Sequence, residues 1–286
     1  MTWRAEAEAG SGAPRDEGRR PGAAPNPGRP PGSPAGPACP AAADALLAPA
    51  GPWEEVAPGV ARRRLPGWDA TAGAVAGPDG VLLVDTGASL PEGAELRRQA
   101  EALYGRPVRW VVLTHPHFDH VLGTAALADA AVYAAVGAER PLGDRAALRR
   151  DAVQHGLAEE TAAEAVDALP LPGRHVCGER VVDLGGGRRV LLANVGPGHT
   201  AHDLAVLVPG RAGAPHVVFC GDLVEESGPP QAGPDALPRR WPAALARLLA
   251  LGGEDARYVP GHGAVVDAAF VRAQREELLH RHGAHP

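Results

Sequence analysis

The stretch VVLTHPHFDHVLG, residues 111–123, decides how the rest of the chain is interpreted. It places three histidines and an aspartate within six positions, directly behind an apolar run that predicts a buried strand. His115 and His117 are two residues apart, so in an extended chain both imidazoles lie on one side and can share a metal ion. Asp119 and His120 follow too closely for all four side chains to bind one ion comfortably. The spacing therefore predicts two adjacent metal ions.

Three later segments supply further side chains of the same kind. His199 lies in NVGPGHTAHD, Asp222 ends HVVFCGD, and His262 lies in RYVPGHG, each at or just beyond the end of an apolar strand. Imidazole and carboxylate groups suit zinc and iron, and none of the three cysteines stands at such a position. The pattern indicates a binuclear centre, for which we expect about two Zn²⁺ ions per chain, with Fe or Mn as possible replacements.

From Trp53 onward, predicted strands alternate with predicted helices. GVLLVDTG and VRWVVLT are typical of buried strands, whereas residues 91–105, residues 144–169 and the C-terminal DAAFVRAQREELLHRH favour helices. This alternation predicts one layered α/β domain over residues 53–286. Residues 1–52 are different, because they hold eleven of the 30 prolines and offer little apolar surface to offset the entropy of ordering. We predict that they form a disordered tail.

Charge and composition exclude several classes of function. The net charge of -6 gives no general attraction to nucleic acid or to an anionic membrane, so we expect a small-molecule substrate. The chain has no lysine, which excludes a lysine nucleophile, a Schiff base and a P-loop. Its three scattered cysteines fit a reducing compartment, and no apolar run approaches the length of a membrane span. With no evident secretory signal, we predict a cytoplasmic protein, and the sequence leaves its oligomeric state open.

Taken in order, these residues resemble the pattern of the metallo-β-lactamase fold superfamily, His-x-His-x-Asp-His, then His, then Asp, then His. The resemblance extends from Trp53 essentially to the C-terminus, and the strand ending in VDTG resembles an early strand of that family. It implies an α/β fold, an αββα sandwich of two mixed β-sheets flanked by helices, with the metals at one edge. It also implies the ligands: His115, His117 and His199 for the first ion, Asp119, His120 and His262 for the second, and Asp222 bridging both.

The resemblance further implies how the site works. Two ions would share a water and lower its pKa towards about 7, giving hydroxide at neutral pH. Asp119 would orient that hydroxide and pass a proton to the leaving group, and Asp85 would hold a ligand histidine in place through a hydrogen bond. Residues 144–169 are interpreted either as a lid or as ordinary scaffold, and residues 223–238 are expected to line the groove. Among the other histidines, His155 is expected at the surface, and His202 exposed or behind a ligand.

Departures from known subfamily patterns narrow the range of expected substrates. Metallo-β-lactamases of this fold usually have Cys or Ser where Asp222 stands, which argues against a β-lactam as the principal substrate. THPHFDH and GPGHT resemble glyoxalase II, but the Gly-Cys-Gly-type segment usual after its bridging Asp is missing here. We therefore predict a hydrolase of a small acyl substrate: a thioester, an ester or a lactone. The alternatives are a mononuclear-iron persulfide dioxygenase, using only His115, His199 and Asp222, and a non-catalytic binding protein of the same fold.

Overall fold

The strands form two sheets, each built from one continuous part of the chain. The computed structural model describes residues 52–283, so the predicted tail lies outside the described residues apart from Pro52. The first sheet has seven strands in sequence order: β1 (Glu54–Ala57), β2 (Val60–Arg64), β3 (Thr71–Gly77), β4 (Gly80–Val84), β5 (Val108–Val112), β6 (Ala131–Ala135) and β7 (Arg174–Val176). The second sheet contains β8 (Glu179–Asp183), β9 (Arg189–Asn194), β10 (Leu204–Val208), β11 (Val217–Glu225) and β12 (Arg257–His262).

Both sheets are mixed. In the first sheet, β1 to β4 pair antiparallel, and β4 to β7 pair parallel. In the second sheet, whose spatial order is β12-β11-β10-β9-β8, only β11 and β12 run parallel. Because β4 and β5 are parallel neighbours, their carboxyl ends lie at the same edge of the first sheet. That edge carries Asp85 and the histidine-rich segment.

Seven α-helices are found within residues 52–283. They are α1 (Leu90–Tyr104), α2 (Phe118–Val121), α3 (Glu139–Gly143), α4 (Arg145–Gln154), α5 (Glu159–Ala168), α6 (Trp241–Gly252) and α7 (Ala268–His282). None of these helices combines the length and the apolar character that crossing a membrane requires.

Apolar side chains pack in three layers: one between the two sheets, and one on the outer side of each sheet. Leu82 and Val112 of the first sheet pack against Leu192 and Phe219 of the second, so the two sheets lie face to face. The outer side of the first sheet packs on α1, α4 and α5, and the outer side of the second packs on α6 and α7. This arrangement confirms the predicted αββα sandwich.

Local sequence signals explain where the helices begin and end. Ser89 caps α1 by accepting a hydrogen bond from Glu92 N at 3.3 Å, and Gly105 ends the helix in the left-handed conformation with φ of 62°. The predicted helical stretch 144–169 is instead two helices, α4 and α5. Gly156 lies between them with a φ of 98°, which interrupts the helix. Glycine adopts this conformation easily, whereas a residue with a side chain would be strained.

Candidate metal centre

The side chains singled out in the sequence converge at one edge of the sandwich. They form two groups, and within each group the possible ligand atoms lie within 4.8 Å of one another. The first group is His115, His117, His199 and Asp222, and the second is Asp119, His120 and His262. The structure therefore brings together all the residues that the sequence placed at the site.

Short backbone elements aim these side chains inward. His115 and His117 lie in the turn after β5, and α2 begins directly behind His117. Asp119 and His120 stand in that helix and are both buried. Because β5 is fixed between β4 and β6, the turn and the helix have a rigid base.

A glycine next to β11 leaves room for the carboxylate that the two groups share. A Cβ atom on Gly261 would lie 1.8 Å from Asp222 Oδ1. Only a residue without a side chain therefore allows β12 to approach Asp222 this closely.

The separations in the first group match a tetrahedral metal site. His199 Nε2 lies 2.9 Å from His117 Nδ1 and 3.4 Å from Asp222 Oδ2, and His115 Nε2 lies 3.5 Å from the same oxygen. With metal–ligand distances of 2.0–2.1 Å, a tetrahedral ion keeps its ligand atoms about 3.3 Å apart. These three separations are close to the spacing that a single tetrahedral ion requires.

The second group has similar dimensions. Asp119 Oδ2 lies 3.6 Å from His120 Nε2 and 3.5 Å from His262 Nε2, and the two imidazole nitrogens are 3.4 Å apart. Asp222 Oδ2 lies 3.2 Å from His262 Nε2, and Asp222 Oδ1 lies 3.1 Å from His120 Nε2. Asp222 thus stands between the two groups.

Two buried atoms at the centre of the site lack a hydrogen-bond partner among the described residues. They are His115 Nε2 and Asp222 Oδ1, whose 3.1 Å approach to His120 Nε2 does not have hydrogen-bond geometry. Buried polar atoms are nearly always paired, because an unpaired one costs about 1–3 kcal/mol. A cation placed between the side chains would give both atoms a partner, so the donor set fits a metal.

The ring nitrogens that face away from the centre all have oxygen neighbours. His120 Nδ1 lies 2.9 Å from Asp85 Oδ2, and His115 Nδ1 lies 3.0 Å from Thr114 Oγ1. The other three contacts are His117 Nε2 with Asp235 Oδ2 at 3.1 Å, His199 Nδ1 with Gln231 O at 3.2 Å, and His262 Nδ1 with Trp68 O at 2.8 Å. Such contacts orient metal-binding histidines and leave the inner nitrogen free to bind.

Asp85 makes the contact expected of it in an unusual backbone conformation. Its φ is 60°, which is rare outside glycine, and it is fully buried at the end of β4. Its carboxylate also accepts hydrogen bonds from Thr114 N and Thr114 Oγ1, both at 2.8 Å. Strained residues of this kind concentrate at functional sites, where the surrounding contacts hold them in place.

Burial and charge affect the histidines differently. Burial lowers the pKa of His115 well below its usual value and that of His199 to about 4, so both rings are neutral and offer a lone pair. Burial opposes charge on His120 and His262 as well, but Asp222 and Asp119 outweigh it. The pKa of His262 is raised to about 9, and that of His120 well above its usual value.

The Asp222 carboxylate responds to the same charges. Burial favours its neutral form, yet His262, His120 and His115 hold the pKa of Asp222 well below its usual value. The cluster therefore favours positive charge at its centre, as protons on the imidazoles or as a cation bound between them.

The structure adds contacts that the sequence did not specify, most of them from residues 223–238, which were expected only to line the groove. Asp235 and Gln231 reach the site from the loop after β11, and Glu225 forms a further possible metal-binding group with Asp222 and His262. The ring of Trp241 packs edge-on against His199, with 5.3 Å between ring centroids. The only signal in the sequence was the proximity of Glu225, Gln231 and Asp235 to Asp222.

The segment 144–169 also contacts the site region. The ring of His155 stacks on Phe118 with 5.6 Å between centroids, and His155 O accepts a hydrogen bond from Trp68 Nε1 at 3.0 Å. His155 is thus a contact between α4 and the residues around the metal centre, although its side chain is exposed as expected. His202 lies outside both groups, and its Nδ1 is 3.1 Å from Val136 O.

Comparisons with known proteins agree with this fold. The family model of the metallo-beta-lactamase superfamily matches residues 65–262. No curated protein sequence matches the chain. Among solved structures, a metallo-beta-lactamase from Pontibacter korlensis has a TM-score of 0.63 at 20% identity, covering 79% of this chain and 98% of its own.

Two other solved structures are similar to the same extent. The metallo-beta-lactamase FIM-1 from Pseudomonas aeruginosa, in its mono-zinc form, has a TM-score of 0.61 at 22% identity and covers 80% of this chain and 95% of its own. A metallo-beta-lactamase from Erythrobacter litoralis has a TM-score of 0.62 at 17% identity, covering 80% of this chain and 96% of its own. At these identities the likeness shows the fold, and the family model extends over most of the described residues. The chain belongs to the metallo-β-lactamase superfamily.

Proposed function

We propose that this protein is a metal-dependent hydrolase that holds two divalent metal ions, with zinc as the first candidate. The observation that carries the proposal is the sharing of Asp222 by two groups of side chains whose separations suit metal coordination. Imidazole and carboxylate together suit Zn²⁺, and iron and manganese accept the same donors.

The proposal gives each residue of the site a role in binding metal or in transferring protons. His115, His117 and His199 would hold one ion, His120, His262 and Asp119 the other, and Asp222 would bridge them. Bound in this way, the ions supply Lewis acidity and lower the pKa of a water molecule towards about 7. Asp119, whose Oδ2 faces His120 and His262, would take a proton from the attacking water and pass it to the leaving group.

The chain's own thiol at the site's edge does not compete for the role of nucleophile. Cys220 is buried two residues before Asp222, and burial raises the pKa of its thiol further above the usual value. Its Sγ contacts Val218 O, on its own strand, at 3.3 Å. The proposed reaction therefore uses water, and not this thiol, as the nucleophile.

For the substrate we propose a small thioester, ester or lactone in the cytoplasm. The aspartate at position 222 supports an acyl substrate other than a β-lactam, following the resemblance described above. The net charge of -6 supports a small molecule over a nucleic acid. A mononuclear-iron dioxygenase would leave Asp119, His120 and His262 without a role, and a purely binding protein would leave the proton-transfer role of Asp119 unused.

Metal analysis and a substrate panel test the proposal together. The full chain, purified without added metal or chelator, should contain about two zinc ions by plasma mass spectrometry and should hydrolyse at least one class of acyl substrate. Asp119→Asn should remove most turnover while keeping at least one metal ion. Asp129→Asn, an equivalent change at an exposed residue paired with Arg97, is the matched control and should keep full activity.

Different results would refute the proposal in different ways. About one iron per chain, with oxygen uptake in the presence of glutathione persulfide, would establish the dioxygenase. Two metals without hydrolysis of any acyl class would support a binding protein. Near-normal turnover by Asp119→Asn would contradict the role given to Asp119.

A further inference from the structure

The loop after β11, residues 226–238, contacts two histidines of the first group and is called the β11 loop below. Asp235 Oδ2 lies 3.1 Å from His117 Nε2, and Gln231 O lies 3.2 Å from His199 Nδ1. The opposite nitrogens of these rings, His117 Nδ1 and His199 Nε2, are 2.9 Å apart at the centre of the first group. The loop therefore holds both rings from behind.

Hydrogen bonds to the rest of the chain hold the β11 loop in place at Gln231 and at Leu237. Glu225 Oε2 accepts a hydrogen bond from Gln231 N at 2.6 Å, and Leu237 N donates to Gly198 O at 2.9 Å, next to His199. Glu225 N in turn donates to Gln274 Oε1 of α7 at 3.1 Å. The loop is thus built around the first group and does not merely pass over it.

The imidazoles of the second group are held from other parts of the chain. His120 is held by Asp85, at the end of β4, and His262 by Trp68 O from the loop between β2 and β3. At the second group the β11 loop contacts the backbone: Glu226 N donates to His262 O at 3.0 Å, and Glu226 Oε2 accepts from Ala264 N at 2.7 Å. The outer ring nitrogens of the two groups therefore have separate supports.

We propose that the β11 loop controls whether the first metal position is filled, and that Asp235 is a positioning residue for His117. His117 can bind a metal through Nδ1 only when its ring proton is on Nε2. The Asp235 carboxylate accepts a hydrogen bond from that N–H and so fixes both the tautomer and the ring orientation. His117 needs this support most, because its side chain is 23% exposed whereas those of His115 and His199 are at most 4% exposed.

This inference rests on the proposed metal centre but not on the substrate or the reaction. It is tested by metal binding alone, with full chains stripped of metal and titrated with Zn²⁺ against a chromophoric chelator. Asp235→Ala should weaken one of the two binding steps by about 10–100-fold and leave the other within about threefold. Asp235→Asn keeps an oxygen that can accept from Nε2 and should recover most of the loss.

Two further measurements complete the test. Glu226→Gln removes the same charge from the same loop and should leave both binding steps as in the wild type. At limiting zinc, anomalous scattering from crystals of Asp235→Ala should show reduced occupancy beside His117 and normal occupancy beside His262.

The outcomes separate this inference from the proposed function. Two unchanged binding steps in Asp235→Ala, or two steps weakened equally, would overturn the role of the loop while leaving the metal centre intact. If Asp235→Ala and Glu226→Gln lost zinc affinity equally, the loss would be explained by the removed charge alone. That result would also overturn the role proposed for Asp235. A wild-type chain that binds no zinc would overturn both proposals.

Discussion

Replacing Asp85 by Asn should weaken metal binding at the second group without unfolding the protein. Oδ1 of Asp85 accepts from Thr114 N, while Oδ2 accepts from Thr114 Oγ1 and lies 2.9 Å from His120 Nδ1. An amide has only one accepting oxygen. Whichever way it is turned, its NH₂ group meets either the Thr114 N–H or the Nδ1–H of His120.

The magnitude follows from the loss of this one acceptor. When the NH₂ group of Asn points at His120, it donates to an unprotonated Nδ1, and the ring proton then lies on Nε2. Nε2 faces Asp119 and Asp222, and in this tautomer it has no lone pair to offer a metal ion. Loss of a carboxylate behind a metal-binding histidine typically costs 10–100-fold in affinity. We therefore expect the second position to lose about 1.4–2.7 kcal/mol of binding free energy.

Competition between the stripped protein and a chromophoric zinc chelator measures this loss directly. Glu92→Gln is the matched control, because Glu92 is a partly buried carboxylate whose Oε2 accepts a hydrogen bond from Ala88 N at 2.7 Å, with no histidine involved in that bond. Circular dichroism should show both variants folded. If Asp85→Asn binds two zinc ions within threefold of the wild-type affinities, the reasoning about His120 is refuted.

Two further predictions concern stability and packing. Burial raises the pKa of Asp203 to about 7, so the folded state retains a proton that the unfolded chain releases near pH 4. The contribution of this group to the free energy of unfolding should fall as the pH rises from about 4 to 7, by at most about 4 kcal/mol. Asp203→Asn should therefore reduce the change in the urea midpoint between about pH 5 and 8. If the midpoint of the variant changed with pH as much as that of the wild type, this reasoning would be contradicted. Gly261→Ala should abolish binding of at least one metal ion, because the new Cβ would meet Asp222 Oδ1, whereas Gly143→Ala, with nothing within 4 Å, should bind as the wild type does. Equilibrium dialysis followed by metal analysis compares the two, and normal metal content in Gly261→Ala would show that β12 can move.

The inner side chains of the site could be predicted because each stands at the end of a short apolar run. The apolar residues of β5, β11 and β12 indicate buried strands, and these strands hold His115, Asp222 and His262. β11 continues beyond Asp222 to Glu225, whereas the sequence predicted that the strand ends at Asp222. A sandwich fold then requires those strand ends to meet at one edge. Local sequence was therefore sufficient to bring the two groups together.

Apart from the contact of Asp85 with His120, the outer contacts could not be predicted, and the reason is physical. Gln231 and Trp68 hold histidines through backbone oxygens, which any residue would supply, so their side chains give no signal. Asp235 reaches His117 from 118 positions further along the chain, through a loop whose path depends on tertiary contacts. The break between α4 and α5 was missed because Gly156 is compatible with a helix as well as with a left-handed turn.

The division of the chain into two successive sheets has a consequence for biosynthesis. The part that forms the first sheet contains His115, His117, Asp119 and His120, and the part that forms the second contains His199, Asp222 and His262. Each proposed metal position takes ligands from both parts, and His262 ends β12, the last strand of the two sheets in chain order. A nascent chain on the ribosome therefore cannot complete the proposed shared centre until β12 has emerged, so full metal binding would be a late step in maturation.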